Sequence, residues 1–466
     1  MTINWQAEVE NRKQDLITKT QKLLQFESIL DEETATEQAP FGIGIHKTLN
    51  WLLETAEADG FTVKNVDGYA GHIEFGEGED IVGVLCHIDV VPAGEGWETP
   101  PFSADIRNNR IYARGAMDDK GPTMAAYFAL KIVKDLALPL SKRIRIIIGT
   151  DEESNWRCVD HYFKKEEMPA IGFAPDADFP IIHAEKGIID CDFSFEVQHC
   201  ESESLAVVEH FSSGQRYNMV PDLATVTISG NVENIVGEFA AFLQQSGLIG
   251  SSEQSNGHVT LTLKGKAAHA MEPNNGLNAG IQLARFIHTL QLDDPSASFF
   301  SFIHDYFVDD TRGEKLAIAY ADDISGPLTV NLGKISYSEN GGLLGVNIRY
   351  PVTADGDFIK HTLTKASENT PFHLAAFSAM PPHHVEKDHS LIQTLQQVYT
   401  EQTGMAADLL AIGGGTYARA LHAGVAFGPL FPGREDVAHQ KDEYFEIDDL
   451  LKATSLYAQA LFELAK

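Results

Sequence analysis

Long apolar runs are missing from this chain. No stretch approaches the ~18 consecutive apolar residues of a membrane-spanning helix, so such a span is excluded. The opening, MTINWQAEVENRKQDL, has no basic segment followed by an apolar one and does not read as a secretory signal peptide. Cysteine is scarce: Cys86, Cys158, Cys191 and Cys200 show no C-x-x-C spacing. That leaves no disulfide framework and points to the reducing cytoplasm. Cys86 ends an apolar run and reads as a core residue rather than a ligand. Positive charge is also short, with 35 Lys and Arg against 67 Asp and Glu, a net charge of -32. Such a chain repels phosphate backbones and anionic lipid, which excludes nucleic-acid and membrane partners; the acidity itself serves solubility. Internal repeats and low-complexity tracts are absent.

What is present is enough chain for more than one domain: 466 residues, 43% hydrophobic. In the first part, helical and strand patterns alternate. Leu49, Leu52, Leu53 and Ala56 recur at helical spacing before Gly60, where a C-terminal cap belongs. IVGVLC (81–86) and RIRIIIG (143–149) read as buried parallel strands, and GPTMAAYFALKIVKDL as a helix with Pro122 in its first turn. From residue 187 the pattern changes. IIDCDFSFEV, HVTLTLKG and LGVNIRYP alternate apolar and polar residues, as half-exposed antiparallel strands do, with the helix LNAGIQLARFIHTL among them. The expected fold is therefore α/β, a catalytic domain with a mixed, largely parallel sheet flanked by helices. An α+β lid with antiparallel sheets interrupts it, giving catalytic segments 1–186 and 381–466 around a lid at 187–380.

Potential metal ligands sit in short motifs that follow strands. They are His87 in LCHIDVVPAGEGW, Asp119 in RGAMDDKGP, Glu153 in GTDEES, Asp176 in APDADFP and His439 in EDVAHQKDE. Carboxyl ends of strands are where open α/β sheets bind ligands. Imidazole with carboxylate suits zinc, manganese or cobalt and leaves room for a water. One shared carboxylate would bridge two such ions; Asp119 fits that place, while Asp118 reads equally well as a helix cap. Asp89, two residues after His87, lies on the same side of an extended chain and can take the second ring N–H of His87. Glu152 adjoins a ligand without being needed as one and is free to act as a base.

Together these motifs resemble the co-catalytic metallopeptidases of the aminoacylase and carboxypeptidase G type, and within them the PepV-type bacterial dipeptidases. The resemblance covers nearly the whole chain. It implies that Asp119 bridges two divalent ions, most simply zinc, with His87 and Asp176 on one and Glu153 and His439 on the other. It implies Glu152 as general base. It also implies that His269, in GKAAHAMEP, reaches over the metals to stabilise an oxyanion, and that the peptide bond after Asp119 is cis. Asn218 and Arg349 resemble residues that grip the substrate, and guanidinium suits a carboxylate bidentately. Gly414, Gly415 and Thr416 could offer backbone N–H groups at a helix start, or form no more than a turn. The implied reaction is hydrolysis of a small peptide, a dipeptide, by a monomer. An N-acyl amino acid deacylase or desuccinylase on the same scaffold remains the nearest alternative, and a non-catalytic metal-binding protein a more distant one.

Overall fold

A computed structural model describes residues 3–197 and 205–466. Cys200 lies outside them, and Cys86, Cys158 and Cys191 are buried free thiols. The chain divides into two compact units. One comprises Met1–His183, His384–Leu410 and Gly415–Lys466; the other comprises Ala184–His383 and Ala411–Gly414. The sequence expectation places the lid at 187–380 and has no counterpart to the 411–414 piece.

The first unit is built on a mixed sheet. Its strands run in the order Thr62–Val66, Ala70–Phe75, Arg143–Gly149, Ile81–His87, Ile171–Ala174, Gly424–Ala426 and Ile181–Glu185. Ile81–His87 is buried at every residue and lies parallel to a neighbour on each side, with His87 opposite Gly149 and Val84 opposite Phe173. Burial on both faces explains why these strands read as unbroken runs of Ile and Val rather than alternating ones. The helix Lys120–Asp135 is buried along most of its length, packed against Ile447–Ala465 on one side and Lys13–Leu24 on the other. Its apolar residues cover nearly all faces, as a core helix requires.

The second unit is built on an eight-stranded antiparallel sheet. Its strand order is Ile249–Ser255, His258–Lys264, Leu223–Gly230, Ala206–Ser213, Thr329–Ser338, Gly341–Tyr350, Gly187–Phe195 and Phe372–Met380. Gly187–Phe195 buries every second residue. Phe195, Phe299, Tyr337 and Phe372 form an aromatic cluster beneath the sheet, ring centroids 4.8–5.9 Å apart. Gly341–Tyr350 departs from the half-exposed alternation expected of it, because Leu344–Tyr350 is buried throughout. The polar members of that alternation, Asn347 and Arg349, are buried and bonded to one another, Nε of Arg349 donating to Asn347 Oδ1 at 2.8 Å.

Candidate metal centre

Among the described residues, the acidic and imidazole side chains that converge belong to the first unit. His87 is the last residue of its strand, and its ring is fully buried. Its Nδ1 lies 3.1 Å from the backbone oxygen of Asp89 and 3.5 Å from the Asp89 carboxylate. Asp89 thus orients the ring chiefly through its main chain. Its carboxylate turns to the next strand end, where Oδ2 accepts the N–H of Glu153 at 3.0 Å. In the loop after Arg143–Gly149, Asp151 is taken up by Arg157, at 2.7 and 2.8 Å. That leaves Glu152 and Glu153 of the acidic run for the site. Asp176 follows Ile171–Ala174, and His439 stands in the loop between Pro429–Leu430 and Tyr444–Glu446.

The side chains form two groups. His87, Glu152 and Asp176 offer ligand atoms within 4.8 Å of one another, and so do Asp118, Glu153 and His439. Asp118 touches both histidines: Oδ1 is 2.9 Å from His87 Nε2 and Oδ2 is 2.9 Å from His439 Nε2. The carboxylate between the two groups is therefore Asp118 and not Asp119, which corrects the sequence expectation. Asp119 turns inward, where Oδ2 accepts the His87 backbone N–H at 3.1 Å and the Thr123 hydroxyl at 3.2 Å. Neither aspartate caps the helix; Asp119 occupies the N-cap position without a side-chain capping bond. Among the described residues the cis peptide bond not preceding a proline is Asp118–Asp119, the one before Asp119 rather than the one after it.

Electrostatics follow from burying this much charge together. Burial alone would raise Asp118, but the imidazoles of His439 and His87 outweigh it and hold its carboxyl well below the usual range. Burial pushes up Asp119, Glu152 and Glu153, and raises Asp176 to about 6, with neighbouring carboxylates adding to each. Contacts with Asp118 and Glu153 raise His439 to about 11. Burial opposes protonation of His87, yet the approach of Asp118, Asp176 and Asp89 raises it well above an ordinary imidazole. His87 Nε2 and Asp118 Oδ1 are buried and face one another at 2.9 Å without the geometry of a hydrogen bond. Buried lone pairs from nitrogen and oxygen, aimed together and short of donors, are what a divalent cation would satisfy. The donor set fits two such ions.

The remaining candidates lie mostly in the second unit. His269 follows His258–Lys264, and its Nδ1 accepts the Met271 N–H at 3.1 Å. Burial and the Arg349 charge lower its pKa, and a ring that accepts at Nδ1 carries its proton on Nε2. Asn218 accepts the N–H of Ala270 beside it at 2.9 Å. Arg349 already has protein partners, Nη1 donating to the Gly413 carbonyl at 3.1 Å. The stretch Gly414, Gly415 and Thr416 leads only into a four-residue 3-10 turn, Tyr417–Ala420, whose Ala418 N–H is capped by Thr416 Oγ1 at 3.3 Å. No full helix stands there, so a helix-dipole anion site at its start does not apply.

Sequence reasoning missed a buried pair, Arg114 and Glu443, 2.6 Å apart. The RG before AMDDKG was the available signal, since arginine in a buried loop needs a partner.

Comparison with known proteins accords with this geometry. Residues 83–463 match the Peptidase family M20/M25/M40. "Putative dipeptidase YtjP" of Bacillus subtilis (strain 168) is 58% identical over 466 residues, covering 100% of each chain. "Putative dipeptidase SAB1611c" of Staphylococcus aureus (strain bovine RF122 / ET3-1) is 43% identical over 464 residues, 99% of each. Among solved structures, aminoacylhistidine dipeptidase from Vibrio alginolyticus shares the fold with a TM-score of 0.60 at 15% identity, over 97% of this chain and 96% of that one. Human carnosine dipeptidase 1 does so with a TM-score of 0.54 at 16% identity, over 99% and 98%. With its family match running from the strand of His87 to the last helix, the chain belongs to the M20/M25/M40 peptidases.

Proposed function

We propose that this protein is a metal-dependent dipeptidase, cleaving dipeptides that carry a free amino terminus and a free carboxylate. The observation that carries the reading is Asp118, whose two oxygens face the imidazoles of two separate ligand groups. His87, Asp176 and Asp118 would hold one divalent ion, and Asp118, Glu153 and His439 the other. The set suits zinc, and manganese or cobalt on the same chemical grounds. When bound, such ions lower the pKa of a water and polarise the scissile carbonyl. Glu152, its carboxyl pushed well above the ordinary range by burial, takes the proton of that water and passes it to the leaving amine. His269 donates from Nε2–H to the developing oxyanion, its tautomer fixed by the Met271 amide. Arg349 and Asn218 are assigned to the substrate, Arg349 to its carboxylate. The relatives named as dipeptidases support this reading over the deacylase one. We assign the protein to the cytoplasm as a monomer, with His269 serving its own chain.

The test is metal-stripped protein reloaded with each ion and offered dipeptides, tripeptides and N-acetyl amino acids. Ion-dependent turnover of dipeptides above the others is expected. Preference for N-acetyl amino acids would replace this reading with the deacylase.

A further inference from the structure

We propose that the buried Arg114–Glu443 pair is a positioning device that fixes the His439 loop against Asp118, and so sets the affinity of one ion of the two. The inference rests on the two-ion reading above. Arg114 and Glu443 have side chains 2% and 0% exposed, and 328 residues separate Glu443 from Gly115, which it also binds. Glu443 takes up three amides of the loop that carries Asp118. Oε2 accepts the Gly115 N–H at 3.1 Å, and Oε1 accepts those of Met117 at 2.8 Å and Asp118 at 3.2 Å. Arg114 reaches the other way. Nη1 donates to the Gln440 carbonyl and Nη2 to the His439 carbonyl, both at 3.2 Å. One ion pair therefore clamps two loops, each bearing a proposed ligand of the same ion.

Stability is a poor explanation for it. Taking both charges out of water costs about as much as the pair returns, so an apolar pair of equal volume often serves stability as well. Geometry is the better one. The His439 side chain is 51% exposed, and its backbone has φ +62° in a stretch without helix or strand. The loop's own bonds are local, Ala438 N–H to Asp436 Oδ1 at 3.0 Å and Gln440 Nε2 to the Asp436 carbonyl at 2.8 Å. Of the ligands outside these two loops, His87 is positioned by its strand and by Asp119, and Glu153 by Asp89. A fork is needed to reach two carbonyls and a carboxylate at once, and lysine does not supply one.

The experiment titrates metal-free, full-length protein with Mn2+, followed by calorimetry and electron paramagnetic resonance. Wild type should take up two ions. Arg114→Lys should bind one ion as wild type does and the other 10–100-fold more weakly, the range for partners that orient a ligand. Glu443→Gln keeps an oxygen for Met117 and Asp118 but breaks the ion pair, and should show the same one-sided loss. A merely structural role would lower the thermal midpoint of the metal-free protein without splitting the two affinities. Both ions weakened alike, or neither, would overturn the inference while leaving the two-ion reading intact. Wild type binding fewer than two ions would overturn that reading, and the inference with it.

Discussion

Replacing Asp118 and Asp119 one at a time separates two adjacent carboxylates with different work. Asp119→Asn changes no shape. The Asp119 carboxyl is fully buried, and burial and Asp176 raise its pKa well above the ordinary range. The asparagine oxygen can still accept the His87 N–H and the Thr123 hydroxyl. What is lost is the charged acceptor behind a ligand, for which 10–100-fold in metal affinity, about 1.4–2.8 kcal/mol, is the ordinary scale. Asp118→Asn differs in kind. It removes a charge that faces His87 and His439 at 2.9 Å each, so both ligand groups lose a donor in one step. Each ion should weaken beyond the range set for Asp119→Asn, and turnover should vanish at ordinary metal concentrations. The assay is metal content after gel filtration, followed by stepwise titration with Zn2+ or Mn2+. Two ions retained by Asp118→Asn, with both lost from Asp119→Asn, would refute the reasoning and restore Asp119 as the shared ligand.

Glu152→Gln should keep both ions and lose about 10²–10⁴-fold in turnover, as loss of a general base does; near-normal kcat would remove it from that role. His269→Ala should lose about 10²–10³-fold with metal content unchanged. Mixing it with Glu152→Gln protein should restore nothing, and recovered activity would show that subunits share sites. Metal binding should release protons, because His87 and His439 are held protonated well above the ordinary imidazole range and must deprotonate to ligate. Affinity should therefore rise with pH, and calorimetric heats that do not vary with buffer ionisation would contradict this. Buried His72, beside Tyr162 at 2.8 Å, has its pKa lowered to about 4 by desolvation and by Arg145. The unfolded chain takes up a proton below about pH 6.5 while the folded one resists until about 4, so stability falls across that window by roughly 3 kcal/mol. His72→Gln should flatten the unfolding free energy there relative to wild type; an identical pH profile would remove His72 as the cause.

Much of the site was legible because strand ends announce themselves. His87, Glu152, Glu153 and Asp176 each follow an apolar run, and a buried parallel strand leaves its next residues at the sheet edge. The choice between Asp118 and Asp119 was not legible. Adjacent carboxylates have the same chemistry, and which one meets the imidazoles is settled by the turn between Met117 and Lys120, tied to Glu443 far along the chain. The strand Gly341–Tyr350 misled for a related reason. Its polar residues mimic a solvent face, but Asn347 and Arg349 satisfy one another and Asp190 inside, with Asn347 Nδ2 donating to Asp190 Oδ1 at 2.6 Å. Periodicity reads polarity; it does not read where the partner is.

The strand order of the first unit has a consequence for synthesis. Gly424–Ala426 sits between Ile171–Ala174 and Ile181–Glu185, parallel to the first and antiparallel to the second. A chain growing on the ribosome therefore makes both walls of that slot long before the strand that fills it. Until then it exposes open backbone edges, and His439 does not yet exist to complete its ligand group. Completion of that group is thereby a late event, and chains stalled before residue 424 should remain open to chaperones and proteases. Pulse-labelled nascent chains of graded length would reveal it as protease resistance that arrives only with the final segment.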